Sequence, residues 1–299
     1  MRARRGFMSE SQSLGFIGTG VMGEPMCRNL AAKSGWRVIA WDPQPEPLER
    51  LRAQGVLIAG SPGEVAAQAE VLFVCLPGGA QLKQLCESAL LPAARKGLTL
   101  VDLGTSGVAL SRELARRFAA RGTDYADAPI ARTREAAQKG TLSITVGASR
   151  EVFARIEPLL RCMGSDVTHC GGAGNGQAVK ILNNMVLLQT VNALAEALAL
   201  GRRAGVEPAL LFEALSKGSA DSFALRNHGM NAMLLGAYPE RAFSVAYAAK
   251  DNGYALELGR ETGVRLRGAQ LLAEVLEEAK AAGFGDAYWP VISRVVDRP

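Results

Sequence analysis

Short apolar runs alternate with helical segments over the first 170 residues of the chain. The runs have the length of buried strands and lie at 14–17, 37–41, 71–76, 99–103, 124–126, 142–146 and 166–168. Helical periodicity fills several of the intervals, most clearly at 23–33 and 108–121. Strands that alternate with helices in this way predict an α/β fold with a doubly wound, mostly parallel sheet. Pro43, Pro45 and Pro47 predict irregular chain after the second strand until about Leu48, where a helix is predicted to run to Gln54.

The pattern changes at about residue 174, beyond which helical periodicity continues with almost no strand signal. One long helix is predicted from Gln177 to about Ala204. Because this helix is apolar on most faces, we expect it to be buried on most sides. Such a helix would link the sheet to an all-α C-terminal domain, and its need for cover favours a homodimer or homotetramer.

Composition and charge argue against several classes of protein. The 299-residue chain is 48% hydrophobic and 21% charged, which is ordinary for a globular protein. The net charge of +5 is too weak and too scattered to predict nucleic-acid binding. No uncharged run of 18 apolar residues occurs in the sequence, so no membrane span is predicted. Five cysteines, without a CxxC pair, predict reduced thiols in a cytoplasmic protein and no metal site.

A glycine-rich turn follows the first apolar run and precedes a predicted helix. It reads Gly18-Thr19-Gly20-Val21-Met22-Gly23. Its glycines let the backbone approach a pyrophosphate, and the start of the helix offers N–H groups to that anion. Asp42 ends the next predicted strand, 19 positions after Gly23, where a carboxylate accepts hydrogen bonds from an adenosine ribose. Since the Asp42 carboxylate would repel a 2′-phosphate, we predict NAD in preference to NADP. The alternatives are that the glycines form a bare structural turn and that Asp42 is an ordinary turn residue before proline.

The loops after later strands should complete this site, because ligands lie at the carboxyl ends of parallel strands. These loops contain Leu76 and Pro77, and Thr105, whose hydroxyl suits the nicotinamide-side ribose. Each loop is equally compatible with a plain turn.

The start of the long helix carries polar residues in apolar surroundings. Lys180 and Asn184 are four positions apart and share a helix face, which Asn183 and Leu187 flank. Burying such side chains without partners is costly. A lysine ammonium can act as a general acid toward a carbonyl oxygen, with Asn184 holding the lysine or the substrate hydroxyl. The alternative is that Lys180 extends to solvent and the asparagines cap nearby backbone.

These features divide the chain into three parts. Residues 14–173 are predicted to form a Rossmann NAD-binding domain, and 174–299 an all-helical substrate and dimerisation domain. Residues 1–13 are predicted to be a disordered extension, unless Met8 rather than Met1 is the true start.

The motifs together resemble those of the β-hydroxyacid dehydrogenase family over essentially the whole chain. The matching segments are FIGTGVMGEPMCRNL, VDLGTS, GNGQAVKILNN and FSVAYAAKDNGYAL. The resemblance implies Thr105 at the nicotinamide end of the cofactor, Lys180 as the catalytic lysine and Asn184 as its partner. It also implies that Lys250 reaches the cofactor and substrate, with Asp251 in support.

One segment departs from the family pattern Asp-Ala-Pro-Val-Ser-Gly-Gly. This chain reads Asp127-Ala128-Pro129-Ile130-Ala131-Arg132-Thr133. A guanidinium binds a carboxylate or a tetrahedral oxyanion through paired hydrogen bonds. The Arg-Thr pair is similar to that of the family's 3-sulfolactaldehyde reductases, which implies that Arg132 and Thr133 bind the anionic group of the substrate. The alternative is that Arg132 points to solvent.

The motifs and the resemblance favour an NAD-dependent oxidoreductase that interconverts a short acid-bearing aldehyde and its primary alcohol. Whether the acid is a carboxylate or a sulfonate stays open, as does the direction of the reaction. An imine reductase of the same fold, whose members generally lack this lysine, and a non-catalytic dinucleotide-binding scaffold are the alternatives. The isolated His169 and His228 are predicted to have surface or core roles, and Tyr288 stands where relatives often carry an acidic residue.

Overall fold

The computed structural model of the protein describes residues 12–240 and 242–298. The predicted extension lies outside the described residues as far as residue 11, and so does the choice between Met1 and Met8. Ser13, which was assigned to that extension, already belongs to the first strand. The chain divides into two compact units, Met1–Lys180 and Ile181–Pro299.

The first unit contains a six-stranded sheet in which every neighbouring pair is parallel. Its strands are β1 Ser13–Ile17, β2 Arg37–Trp41, β3 Leu57–Ile58, β4 Val71–Val74, β5 Thr99–Asp102 and β6 Asp124–Asp127. The spatial order is β3-β2-β1-β4-β5-β6, so the chain starts in the middle of the sheet and winds outward in both directions. This order confirms the predicted doubly wound Rossmann sheet.

Helices cover both faces of this sheet, which explains why its central strands are apolar along their whole length. Every residue of β1, β4 and β5 is buried. The helices of the first unit are α1 Gly23–Lys33, α2 Pro45–Arg52, α3 Pro62–Gln68, α4 Gly79–Leu85, α5 Val108–Ala119, α6 Arg134–Lys139 and α7 Arg150–Leu160. A π-helical turn at Cys86–Leu90 extends α4.

A helix follows the second strand, but its predicted start at about Leu48 is wrong. Helix α2 begins at Pro45, and Pro47 also lies in its first turn. The N–H groups of a first turn have no partner inside the helix, so proline loses nothing there and its fixed φ suits the start of a helix.

A second, three-stranded sheet lies in the same unit and was not separated from the main sheet in the sequence. It comprises β7 Ile130–Ala131, β8 Leu142–Val146 and β9 Gly164–His169. Strand β8 pairs antiparallel with β7 and parallel with β9. The predicted strands at 142–146 and 166–168 therefore extend a separate small sheet that carries the Arg132 segment at its edge.

Among the residues described, the second unit consists of helices and the loops between them, without a named strand. Helix α8, Asn175–Arg203, crosses the boundary between the units. It is followed by α9 Pro208–Ser216, α10 Val245–Thr262, α11 Arg267–Ala281 and α12 Ser293–Val296, with a π-helix at Leu225–Met233 and a 3₁₀ turn at Trp289–Ile292. A sheet domain followed along the chain by a helical domain is the predicted fold class. No helix in the described part of the chain has the length and apolarity needed to cross a membrane.

Helix α8 is buried on one face rather than on most sides. Leu188 and Val191 belong to the core of the second unit. On the opposite face, Leu182 is 45% exposed and Val186 is 60% exposed in the single chain. The single chain therefore buries only one face of α8, and the predicted burial on most sides would require cover from a second copy.

Candidate active site

The glycine-rich turn joins β1 to α1 at the carboxyl edge of the parallel sheet. Gly18 has φ +90°, a conformation that favours glycine, and its N–H donates to Trp41 O at 3.1 Å. A Cβ added at Gly23 would lie 1.8 Å from Gly18 O. Both positions therefore require glycine, because the helix starts directly against the turn.

The middle of the turn is open to a ligand. Nothing lies within 4 Å of a Cβ added at Gly20. Thr19 is completely buried, and its Oγ1 has no hydrogen-bond partner. An orphaned buried hydroxyl beside an open glycine fits the phosphate end of a dinucleotide, which would supply the missing acceptor. Of the other two predicted residues, Val21 is 52% exposed and Met22 packs partly against the core.

The carboxylate of Asp42 is held at the end of β2, next to the turn. Its Oδ2 accepts from Thr19 N at 2.5 Å, and its Oδ1 accepts from Gln44 N at 2.9 Å. These two backbone donors orient an acidic group where the ribose of a dinucleotide binds in Rossmann domains.

The loops after β4 and β5 meet at the same edge of the sheet. Leu76 is half-buried and Pro77 is exposed, directly after β4. Thr105 is half-buried in the loop after β5. A Cβ added at Gly104 would lie 2.9 Å from Leu76 O, so the two loops are in close contact. The structure thus brings Gly18–Gly23, Asp42 and both predicted loops to one edge.

Sequence reasoning missed a buried polar network that ties the start of α8 to this edge. Gln177 is completely buried; its Oε1 accepts from Ser106 N at 3.1 Å, and its Nε2 donates to Gly104 O at 2.8 Å. Asp127, at the end of β6, accepts from Gly174 N at 2.6 Å and from Gln177 N at 2.8 Å. The signal available in the sequence was two strands that end in Asp, which is unusual for strands buried on both faces.

The other strand that ends in a buried carboxyl group is β5, which ends at Asp102. It accepts from Gly104 N at 2.9 Å, from Ser106 Oγ at 3.1 Å and from Gln177 Nε2 at 3.3 Å. Burial raises the pKa of Asp102 to about 7 against the opposing effect of these hydrogen bonds. Burial likewise raises the pKa of Asp127 to about 6. Both groups therefore hold their protons more tightly than ordinary carboxylic acids.

Lys180 is half-buried in the same helix, three residues after Gln177. Because residues three apart lie on neighbouring positions of a helix face, Lys180 is one turn from the residue that contacts the loop after β5.

In the second unit, polar side chains of α8 and α10 form a continuous chain of contacts. Asn183 Nδ2 donates to Asn184 Oδ1 at 3.1 Å, and Asn184 Nδ2 donates to Asp251 Oδ2 at 2.7 Å. Lys250 Nζ lies 3.0 Å from Asp251 Oδ1. Asp251 is 2% exposed, and Asn184 and Lys250 contact its two carboxyl oxygens. Leu187 is partly buried against the core of this unit.

The Arg132 guanidinium is engaged by the protein itself. It lies 2.8 Å from Asp166 Oδ2 and donates to Thr141 O at 2.7 Å and to Ser165 Oγ at 2.9 Å. Both charged side chains are substantially exposed, at 44% and 57%. Thr133 Oγ1 accepts from Ala136 N at 3.4 Å and caps α6.

The two histidines have aromatic neighbours. His169 stacks on Phe153 with ring centroids 4.7 Å apart. His228 Nδ1 lies 2.5 Å from Tyr288 Oη, and its ring packs against Trp289. Burial lowers the pKa of His228 to about 4, so this imidazole is neutral at physiological pH. Among the described residues, no group of three or more His, Cys, Asp or Glu could hold a metal ion.

Comparison with known families covers nearly the whole chain. Residues 13–172 match the NAD-binding domain of 6-phosphogluconate dehydrogenase. Residues 174–292 match the NAD-binding domain of NADP-dependent 3-hydroxyisobutyrate dehydrogenase. The chain belongs to the β-hydroxyacid dehydrogenase family. It is accordingly an oxidoreductase that binds NAD(P), as the motifs predicted.

Individual relatives agree over most of their length. 2-(Hydroxymethyl)glutarate dehydrogenase of Eubacterium barkeri is 35% identical over 93% of this chain and 92% of its own. 2-Hydroxy-3-oxopropionate reductase of Escherichia coli K12 is 32% identical over 90% of this chain and 92% of its own. The solved structure of Mycobacterium tuberculosis 3-hydroxyisobutyrate dehydrogenase with L-serine superposes with a TM-score of 0.88 at 28% identity, covering 96% of this chain and 99% of that one.

Proposed function

We propose that this β-hydroxyacid dehydrogenase uses NAD to interconvert a short aldehyde that carries an acid group and the corresponding primary alcohol. The relatives named above support the substrate class, because the substrate in each name is a small hydroxy or oxo acid. When bound, the nicotinamide cofactor accepts or supplies the hydride. The protein's own residues must then move one proton and hold the acid group.

Lys180 is proposed as the proton donor and acceptor. In the reductive direction its ammonium donates a proton to the substrate's carbonyl oxygen, and in the oxidative direction its amine takes that proton back. The observation that carries this assignment is the attachment of α8 to the cofactor edge. Gln177, one turn before Lys180, is hydrogen-bonded to the loop that contains Thr105.

Asn184 and Lys250 are proposed to support the lysine and to contact substrate and cofactor. Asp251 supports both roles, because its buried carboxylate accepts from the Asn184 amide and pairs with the Lys250 ammonium. An amide and an ammonium that share one buried carboxylate are restrained in position, which favours productive orientation of a small substrate.

Arg132 and Thr133 are proposed to bind the anionic group of the substrate. The guanidinium must leave Asp166 to do so, which is inexpensive because an exposed ion pair of this kind is worth only about 0–1 kcal/mol. Thr133 Oγ1 accepts the capping hydrogen bond of α6, so its own proton can still be donated to an anion.

The preference for NAD over NADP is proposed on the position of Asp42. Its carboxylate is fixed next to the glycine-rich turn, where it can accept from a ribose hydroxyl and repels a 2′-phosphate. The cytoplasmic location and the homodimer or homotetramer stay predictions.

The test of the lysine is Lys180→Ala, with the exposed Lys96→Ala of the same unit as a matched control. We expect kcat with NAD and a panel of hydroxyacids and hydroxysulfonates to fall by about 10² or more in Lys180→Ala, the usual size of a general-acid contribution. The dissociation constant for NADH should not change. Full turnover by Lys180→Ala would remove the lysine from the mechanism.

The test of the anion site is Arg132→Gly. Arg132 has φ +88°, so glycine fits this backbone without strain and the variant should fold. We expect kcat/KM for acid-bearing aldehydes to fall at least tenfold, which corresponds to about 1.4 kcal/mol, while an uncharged aldehyde of the same length is little affected. Arg117→Ala, which removes another partly exposed, paired arginine, should change neither value. Unchanged kcat/KM in Arg132→Gly would exclude this anion site without affecting the test of Lys180.

A further inference from the structure

We infer that Gln177 is a positioning residue, which fixes the cofactor loop Gly104–Ser106 against the first turn of the helix that carries Lys180. The inference rests on the proposed role of Lys180. It goes further by assigning a function to a side chain that lies one turn from the lysine and reaches the loop after β5.

The side-chain amide of Gln177 holds the loop on both sides of Thr105. Its Oε1 accepts from Ser106 N at 3.1 Å, and its Nε2 donates to Gly104 O at 2.8 Å. These are the backbone groups immediately after and immediately before Thr105. One rigid, planar amide therefore fixes the backbone that presents the Thr105 hydroxyl.

The same residue is anchored on the helix side by two buried carboxyl groups. Asp127 accepts from the backbone N–H of Gln177 at 2.8 Å, and Asp102 accepts from its Nε2 at 3.3 Å. Turning the amide over would place its oxygen against Gly104 O, which can only accept, and its nitrogen against Ser106 N, which can only donate. The orientation of Gln177 is thus determined by its partners.

The start of α8 has little freedom to shift and relieve a change at Gln177. A Cβ added at Gly176 would lie 2.5 Å from Thr145 O and 2.7 Å from Gly147 N, so the backbone here is pressed against β8. Thr145 Oγ1 also donates to Gly176 O at 3.0 Å. Because the helix is fixed at this point, the distance between the loop and the next helical turn is set by the length of the Gln177 side chain.

A displacement of the loop relative to the helix would change the alignment of the reacting groups. A misplacement of about 1 Å can cost 10²-fold in rate, even when it originates away from the reacting atoms. Gln177 is therefore expected to act on turnover more than on cofactor affinity, since the turn at Gly18–Gly23 and Asp42 lie outside this network.

The experiment is Gln177→Met, which keeps the length and volume of the side chain and removes its hydrogen bonds. Thr123→Val is the matched control. Thr123 is 1% exposed and also clamps a loop backbone with two hydrogen bonds, to Arg95 O at 2.8 Å and from Arg95 N at 2.9 Å. It precedes β6, at the edge of the sheet opposite to the cofactor loops.

We expect kcat to fall by about 10- to 100-fold in Gln177→Met, with the dissociation constant for NADH changed by less than about threefold, or 0.65 kcal/mol. The primary deuterium isotope effect on kcat should increase, because hydride transfer becomes more fully rate-limiting. Thr123→Val should lower Tm to a similar extent and keep kcat within about twofold, since its contacts lie away from the site.

If Gln177→Met loses only Tm and keeps kcat and the isotope effect of the parent protein, Gln177 has a structural role alone and the inference is wrong. Should Gln177→Met not fold, Gln177→Asn carries the same test, because its amide is one methylene too short to reach the loop. Loss of kcat in that variant supports the inference, and unchanged kcat overturns it. Lys180→Ala, assayed alongside, shows separately whether the proposed proton donor is correct.

Discussion

Replacing Gly20 with alanine should leave the free protein unchanged and weaken its binding of NAD(H). The added methyl group has no neighbour within 4 Å, and the backbone of Gly20 does not lie in the left-handed region. A substitution without new contacts is expected to change the free energy of unfolding by no more than about 0.5 kcal/mol. The methyl group would, however, occupy the space through which a pyrophosphate approaches the turn.

Gly23→Ala gives the contrasting result within the same motif. Its Cβ would lie 1.8 Å from Gly18 O, although real Cβ contacts are essentially never under 3.0 Å. Two backbone segments must then move apart by more than an ångström, and neither is a flexible side chain. Overpacking of this kind costs about 1–3 kcal/mol or more, so Gly23→Ala should destabilise the protein even without cofactor.

The assay is urea denaturation with and without NAD, combined with calorimetric titration of NADH. At a concentration of 100 times the dissociation constant, NAD should stabilise the parent protein by about 2.7 kcal/mol. A tenfold weaker affinity in Gly20→Ala would reduce this stabilisation to about 1.4 kcal/mol at the same concentration. Gly63→Ala is the control, because a Cβ there meets nothing closer than 3.9 Å and α3 starts outside the glycine-rich turn.

The reasoning is refuted if Gly20→Ala binds NADH as tightly as the parent protein does. The glycine-rich turn would then be a structural turn, and the open space at Gly20 would have no connection with the dinucleotide. A loss of stability in cofactor-free Gly20→Ala would refute the steric part of the reasoning instead.

Three further predictions concern buried polar groups. The pKa of Asp102 is raised to about 7 and that of Asp127 to about 6. The contribution of these two groups to stability is therefore fully present below about pH 4 and is lost as the pH rises through those values, by a few kcal/mol in all. Urea denaturation from pH 4 to 8 should show this loss of stability, and Asp102→Asn should reduce the loss. Asp251→Leu removes the acceptor of Asn184 Nδ2 and should lower kcat/KM by about 10-fold or more. Asp251→Asn keeps an acceptor and should lower kcat/KM less. Equal losses in the two variants would contradict a role for this hydrogen bond. Because the pKa of His228 is lowered to about 4, His228→Gln should leave the shape of the kcat/KM profile between pH 6 and 8 unchanged, and a lost inflection would show that the histidine titrates there.

The sequence was sufficient for elements whose pattern is local. Helix α1 begins and ends at the predicted residues, Gly23 and Lys33, because a glycine-rich turn fixes its start and its apolar face repeats regularly. The order of apolar strands and helices was likewise enough to predict a parallel sheet, since handedness and crossover rules leave few arrangements.

Elements whose identity depends on distant contacts were missed or misjudged. Strand β3 is two residues long and exists because it pairs with β2, which no local pattern can indicate. The π-helix at Leu225–Met233 has the apolar spacing of an ordinary helix, so its different hydrogen bonding was not predictable. Hydropathy predicted that α8 needs cover, but it does not state which side of the helix meets the core of its own chain.

The candidate site shows the same division between local and distant information. The glycine-rich turn and Asp42 are adjacent in the pattern of one β-α-β unit, so their proximity followed from the fold. Arg132 is different, because the residue that holds it, Asp166, lies 34 positions further along the chain on another strand. A candidate ligand of a substrate can be named from sequence, but its resting partner requires coordinates.

Asp102, Asp127 and Gln177 form a buried polar network, whose role we interpret as positioning the start of α8 rather than stabilising the fold. Taking a carboxyl group out of water is costly, and their raised pKa values record that cost. Apolar residues of similar volume would pack these strand ends at lower cost. Apolar residues could not accept from the backbone N–H groups at the start of α8 or from Gln177, so the helix would lose its fixed register against the loop after β5. If the network positions α8, Asp127→Leu should lower kcat by more than its loss of stability accounts for. Asp127→Asn should restore kcat only in part, because its amide oxygen can replace only one of the two accepting oxygens of Asp127.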